Sequence, residues 1–152
     1  MKVKYLDLKN KRVFISGGGS GIGATIVEHF CEQNSEVYFI DINIKASKKL
    51  IKNIKKKKLK TPNFIECNIL DVKKLQNIIK KIINKKGPIH CLINSAANDD
   101  RHTTEQVDEK YWENRMGINL KHYFFAAQAV VKGMKKIKTG SIINLSSVSW
   151  ML

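Results

Sequence analysis

From Ser16 to Gly23 the chain reads Ser-Gly-Gly-Gly-Ser-Gly-Ile-Gly, directly after the apolar run Val13-Phe14-Ile15. Glycines this dense suit a group that the backbone itself must approach, and a diphosphate is such a group. Gly17 lets the chain turn sharply, Gly21 lets N–H groups reach phosphate oxygens, and Gly23 lets the next helix pack tightly on the sheet. The helix N-terminus then adds unpaired N–H groups and a positive dipole end. Gly19, Ser20 and Ile22 complete the turn and are expected to line the same phosphates. A second apolar run ends at Asp41, 18 residues beyond Gly23. That offset is near the ~20 residues typical of an acid that accepts hydrogen bonds from a ribose 2′-hydroxyl. The same carboxylate would repel a 2′-phosphate, and neither Ile42 nor Asn43 is basic. NAD is therefore the expected cofactor, rather than NADP.

These residues need a scaffold, and the hydrophobic pattern supplies one. Apolar runs near 12–16, 37–40, 64–65, 89–93 and 141–146 read as strands. Helical patterns fill the intervals: 22–33 with Ile22, Ile26, Val27 and Phe30; 44–58 with Leu50, Ile51 and Ile54; a third helix capped by Asp71; and one long helix over 108–136. Thr61-Pro62 and Gly87-Pro88 break the chain between elements. Alternating strands and helices predict an α/β fold, a Rossmann-like doubly wound parallel sheet of order 3-2-1-4-5 that stops after the fifth strand. Residues 1–152 form one dinucleotide-binding domain. Ligands in such sheets sit at the carboxyl ends of the strands. Ser16, Asp41, Asn68, Asn94 and Ser147 fall there, so five segments are expected to converge on one crevice.

The rest of the composition narrows the class. The three cysteines (Cys31, Cys67, Cys91) lie in or beside apolar elements and read as buried free thiols, which places the chain in the reducing cytoplasm. No apolar stretch is long enough for a membrane span, and the N-terminus carries no signal-peptide core. His29, His90, His102 and His122 have no metal-ligand spacing, so no metal site is expected. The net charge of +15 raises the question of nucleic acid. The basic residues are nearly all lysines, with Arg12, Arg101 and Arg115 the exceptions. They cluster as Lys55-Lys56-Lys57-Lys58 and Lys80-Lys81 on the expected outer faces of helices, which reads as a solvated surface and not as a specific nucleic-acid interface.

Together these motifs resemble the short-chain dehydrogenase/reductase family, over essentially the whole chain. The family's Thr-Gly-x-x-x-Gly-x-Gly is matched by Ser16-Gly17 through Gly21-Ile22-Gly23, with Ser for Thr. Its Asn-Asn-Ala-Gly after the fourth strand is matched by Asn94-Ser95-Ala96-Ala97. The resemblance implies cofactor contacts from Asn94, Ser95 and Ala96, and from Asn68 and Ile69, Asn68 standing where the family usually has an adenine-contacting aspartate. It implies catalytic roles for Ser147, as the serine that hydrogen-bonds the substrate oxygen, and for Asn119, as the asparagine that supports the proton relay. Ala96 to His102, Phe124 to Val130 and Ser149-Trp150 look most like the NAD-dependent sugar 1-dehydrogenases, such as D-xylose 1-dehydrogenase. Asp99, Asp100 and Trp150 would then bind substrate: carboxylates accept from hydroxyls and an indole covers a sugar face. Asp99-Asp100 also reads simply as a solvated loop ahead of a helix.

The family's Tyr-x-x-x-Lys is expected on the helix after the serine, and the sequence stops first. Tyr5, Tyr38, Tyr111 and Tyr123 all belong to other elements. The chain thus reads as the amino-terminal part of an oxidoreductase of sugars or secondary alcohols and ketones, with a homo-oligomer expected for a full-length form. A 3-oxoacyl thioester reductase and a catalytically dead NAD-binding fragment are the alternatives. Without further chain, Ile142 and Ile143 are expected on an open sheet edge. One apolar face of the long helix (Tyr123, Phe124, Ala127, Val130, Val131) is expected to lack a cover.

Overall fold

The computed structural model describes residues 3–147. The chain runs β1 (Arg12–Ser16), α1 (Gly21–Glu32), β2 (Glu36–Asp41), α2 (Ile44–Lys56), β3 (Asn63–Glu66) and α3 (Val72–Lys86), then β4 (Cys91–Asn94), α4 (Glu109–Met116), α5 (His122–Lys136) and β5 (Ser141–Asn144). The five strands form one sheet of order β3-β2-β1-β4-β5, and each neighbouring pair is parallel. This is the doubly wound arrangement that the alternating pattern predicts.

Period two along β1 builds both layers of the core. Val13 and Ile15 point to one face and join Val27, Cys31 and Ile54 from α1 and α2. Phe14 points to the other face and joins Leu75, Ile79 and Ile82 from α3 with Ala126, Val130 and Met134 from α5. Each fully buried Val, Leu, Ile or Phe among them contributes about 1.5–3 kcal/mol. Side-chain caps begin α2, α3 and α4. The Asn43 side chain accepts from the Ala46 amide, and the Asp71 and Asp108 side chains accept from the Lys74 and Tyr111 amides. The cap expected at Asp71 is therefore present.

Several elements differ from the sequence expectation. Ile22 is 72% exposed, and α1 buries Gly23, Val27 and Cys31 instead. α1 starts at Gly21, and its buried face begins one residue after Ile22, at Gly23. The long helix is continuous from 109 to 136, but a π turn interrupts its α pattern. α4 and α5 are joined by a π turn, Gly117–Lys121, and a separate short 3-10 turn, Thr104–Gln106, precedes α4. Val130 is fully buried, so the uncovered residues of α5 are Phe124 and Val131. β4 starts at Cys91, although Ile89 is fully buried, and β5 ends at Asn144. β5 is an edge strand, and Ile142 and Ile143 are exposed on it. All three cysteines are free. Burial pushes the thiols up, to about 12 for Cys31 and about 11 for Cys91. Among the described residues, no helix is long and apolar enough to cross a membrane, and no cluster of His, Cys, Asp and Glu could hold a metal ion.

Candidate cofactor-binding site

Strand register assembles the site. Ser16 lies opposite Ile40 and Asn94, Asp41 opposite Glu66, and Asn94 opposite Asn144. The polar strand ends thus form one rim, with the glycine turn at its centre. Gly17 has φ +70°, and a Cβ there would lie 2.7 Å from Ala96 Cα. The turn is therefore seated on the segment after β4. The amides of Gly17 and Gly18 both donate to the Ile40 carbonyl, at 2.9 and 3.1 Å, which ties the turn to β2. A Cβ at Gly23 would lie 2.0 Å from the Gly17 carbonyl oxygen, so α1 begins in contact with the turn.

Gly21 contrasts with these contacts. It has φ +52°, and a Cβ there would meet nothing within 4 Å. Ser20 is the N-cap of α1 but its side chain makes no cap hydrogen bond. The first-turn amides of α1 thus have no side-chain acceptor and border open space, which fits a diphosphate.

Asp41 holds the other side. Its Oδ2 accepts from the Gly19 amide at 2.8 Å and its Oδ1 from the Asn43 amide at 2.8 Å. One carboxylate thereby links the glycine turn to the start of α2, and each oxygen keeps a further lone pair for a hydroxyl. A Cβ at Gly19 would lie 2.5 Å from Ser47 Oγ and 2.8 Å from Asp41 Cγ. This glycine is the one that admits the acid. Asn68 is exposed beyond β3 with its Oδ1 accepting from the Leu70 amide at 3.0 Å, whereas Ile69 is buried in the core.

The segment after β4 closes the crevice. Asn94 is buried, and its Nδ2 donates to Asn144 Oδ1 at 2.8 Å. Its own Oδ1 is buried with no hydrogen-bond partner among the described residues. The amides of Ser95 and Ala96 donate to Ser16 Oγ at 3.2 and 3.3 Å. Asn119, in the π turn, accepts from the Asn98 amide at 2.8 Å and donates to the Asn98 carbonyl at 2.9 Å. Asp99 is exposed. Asp100 is engaged by Arg115 Nη2 at 2.7 Å, and that bond holds its carboxyl below the usual carboxylate range. Arg115 in turn lies 4.7 Å over the Tyr111 ring, and the Tyr111 hydroxyl is 2.7 Å from His102 Nδ1. Ser147 is exposed on the segment that continues β5, and the Tyr123 hydroxyl secures this segment by donating to the Leu145 carbonyl at 2.9 Å. Trp150 lies outside the described residues.

Three participants go unnoticed in the sequence reading. Asn144 partners Asn94, Arg115 occupies Asp100, and His122 lies fully buried with its Nε2 3.3 Å from Ser16 Oγ. The sequence does carry a signal for His122, which begins the buried stripe His122, Ala126, Val130, Met134 at steps of four. Tyr5 and Lys9 have the Tyr-x-x-x-Lys spacing by sequence. They flank a 3-10 turn ahead of β1, and the Tyr5 amide donates to Gln33 Oε1 beyond the end of α1. They sit by the amino-terminal ends of the strands, away from the crevice.

Comparison with known proteins agrees with this geometry. The family profile described as short chain dehydrogenase matches residues 11–151. The D-xylose 1-dehydrogenase of Caulobacter vibrioides is 39% identical over 97% of this chain and 58% of its own length. The "Probable galactose dehydrogenase GalD" of Rhizobium meliloti is 36% identical over 98% of this chain and 58% of its own. The 3-oxoacyl-acyl-carrier-protein reductase FabG of Thermotoga maritima is 30% identical over 94% of this chain and 58% of its own. The ligand-free aldohexose dehydrogenase AldT of Thermoplasma acidophilum superposes with a TM-score of 0.78 at 26% identity, covering 95% of this chain and 52% of that one. The chain thus spans 58% of the length of these curated relatives.

Proposed function

The chain belongs to the short-chain dehydrogenase family, and we propose that it is the NAD-binding part of an oxidoreductase that acts on a sugar or a secondary alcohol or ketone. The observation that carries this reading is the open cradle at Gly21, above the uncapped start of α1, with the Asp41 carboxylate fastened to the Gly19 amide beside it. The amides of Ser20, Gly21 and Ile22, at the end of the turn and the start of α1, would hold the diphosphate, those of Gly17, Gly18 and Gly19 being already paired. Asp41 would accept from the adenosine ribose, and Asn68, Ile69, Asn94, Ser95 and Ala96 would line the remaining walls. NAD, when bound, supplies the acceptor for a hydride from the substrate carbon. Ser147 would donate to the substrate oxygen, and Asn119 would support the proton relay. Asp99 and Asp100 would accept from substrate hydroxyls and Trp150 would cover a sugar face; among the described residues Arg115 engages Asp100, and no arginine engages Asp99. Likeness to a D-xylose and a galactose dehydrogenase favours an aldose as the substrate. The cytoplasm, a small-molecule substrate and a homo-oligomeric full-length form complete the proposal.

Calorimetric titration tests the cofactor. The protein is expected to bind NAD more tightly than NADP. Asp41→Ala, by losing a charged hydrogen bond worth about 1.5–3 kcal/mol, is expected to weaken NAD by roughly ten- to a hundredfold and to narrow the gap to NADP. Equal affinities in parent and variant would reject the assignment of Asp41. The 30% identity to a 3-oxoacyl thioester reductase favours a second reading. Following NADH absorbance separates the two: formation of NADH with D-xylose or D-galactose supports the first, and its consumption with a 3-oxoacyl thioester supports the second. Binding of NAD with neither turnover would identify a cofactor-binding module.

A further inference from the structure

We infer that His122 is a positioning residue that locks the glycine turn to the segment after β4, by accepting the hydroxyl hydrogen of Ser16 at its Nε2. The inference deepens the cofactor-binding reading and rests on it for its effect on NAD.

The argument is a count of hydrogens. A serine hydroxyl has one hydrogen and two lone pairs. The amides of Ser95 and Ala96 both aim at Ser16 Oγ, at 3.2 and 3.3 Å, the Ser95 amide being shared with the Ser16 carbonyl at 3.3 Å. With amide hydrogens on its lone-pair side, the hydroxyl is left to donate its own, and His122 Nε2 lies 3.3 Å away. Nε2 is then bare and the ring is neutral with its proton on Nδ1. Burial independently favours the neutral ring and pulls its pKa down to about 4. Ser16 and His122 are both fully buried, so an unmatched donor between them would not be solvated. Nδ1 is itself buried with no hydrogen-bond partner among the described residues, and the Ile118 backbone four residues back is the group that favours a proton there.

The location gives the contact its consequence. Ser16 is the last residue of β1, and the next residue, Gly17, is seated on Ala96. Any shift of Ser95 and Ala96 is passed to the phosphate turn. The π turn directly before His122 also places Asn119 on Asn98. One helical irregularity therefore grips the segment from 95 to 98 at both ends, with Asn119 on the exposed side and His122 underneath. A ring filling space alone would need no acceptor at this position, and that difference is measurable.

The test uses the parent with His122→Gln, which keeps an acceptor at the same reach, and His122→Phe, which keeps only the bulk. Nitrogen spectra of the parent at neutral pH are expected to place the ring proton on Nδ1. Amide hydrogen exchange at Ser95 and Ala96 is expected to quicken about five- to tenfold in His122→Phe and to stay near the parent in His122→Gln. NAD affinity should follow the same order. A proton on Nε2 in the parent, or equal exchange in the two variants, overturns the inference. The parent spectrum decides the matter even if His122→Phe fails to fold. A parent that shows the expected tautomer and exchange but binds no NAD would reject the cofactor reading while leaving this lock intact.

Discussion

Buried polar side chains set the behaviour of this site residue by residue. His122 packs edge-on against the Tyr123 ring, 4.5 Å between centroids, and its pKa is lowered to about 4 by burial. The unfolded chain would protonate this ring near its ordinary value, so between that value and about 4 the unfolded state binds more protons. Stability from this residue is then complete above about pH 6.5 and falls as pH drops toward 4. Urea unfolding across that window should show the parent losing up to about 3 kcal/mol more than His122→Gln. Gly23 is a second decisive position. With a Cβ placed 2.0 Å from the Gly17 carbonyl oxygen, Gly23→Ala must push α1 off the turn. A loss of roughly 2–3 kcal/mol is expected in the same unfolding measurement. The need for Gly23 was legible from its spacing. The need for Gly19 was not, because only the fold brings the Asp41 carboxylate and Ser47 against it. The engagement of Asp100 by Arg115 was hidden for the same reason, as the two residues are 15 positions apart and meet through a loop.

Among the elements, strands and caps were readable and the helix irregularity was not. β1 and β2 are continuous apolar runs because both faces of a parallel sheet are covered, and their ends carry the residues that face the crevice. Asp71 was identifiable as a cap from its place before an amphipathic run. The stretch from 108 to 136 lacks a proline that would announce a break, so its pattern reads as one helix. The π turn at Gly117–Lys121 adds a local widening that periodicity over a whole helix averages out. Ile22 likewise fits the apolar stripe by spacing, yet in the first turn of α1 it is exposed. The π turn makes a test available. Asn119→Ala removes both bonds to the Asn98 backbone. It should cost about 1 kcal/mol of stability and should speed exchange of the Asn98 amide, with the core helices α3 and α5 unaffected. Uniform loosening of the whole chain would instead mean that the turn serves the core.

For the molecule as a whole, the order β3-β2-β1-β4-β5 is what turns five distant polar residues into one rim. The sequence could propose that convergence because open parallel sheets bind ligands at the carboxyl ends of their strands. It could not supply the links between segments: Ser16 to Ser95 and Ala96, Asp41 to Gly19, and Asn94 to Asn144. The lysines of residues 55–58 and of Lys80 and Lys81 are exposed, as a solvated surface requires. Exposed apolar residues include Leu120 and Phe124 of the π turn and α5 and Ile142 and Ile143 of the edge strand. The central claim is that the glycine turn and the start of α1 cradle a diphosphate. Titrating isotope-labelled protein with NAD, while following backbone amide resonances, tests it most directly. The account predicts that the amides of Gly19, Ser20, Gly21 and Ile22 move most and saturate together, and that nicotinamide alone leaves them in place. Saturable NAD binding that shifts residues elsewhere and leaves these four amides unchanged would contradict it.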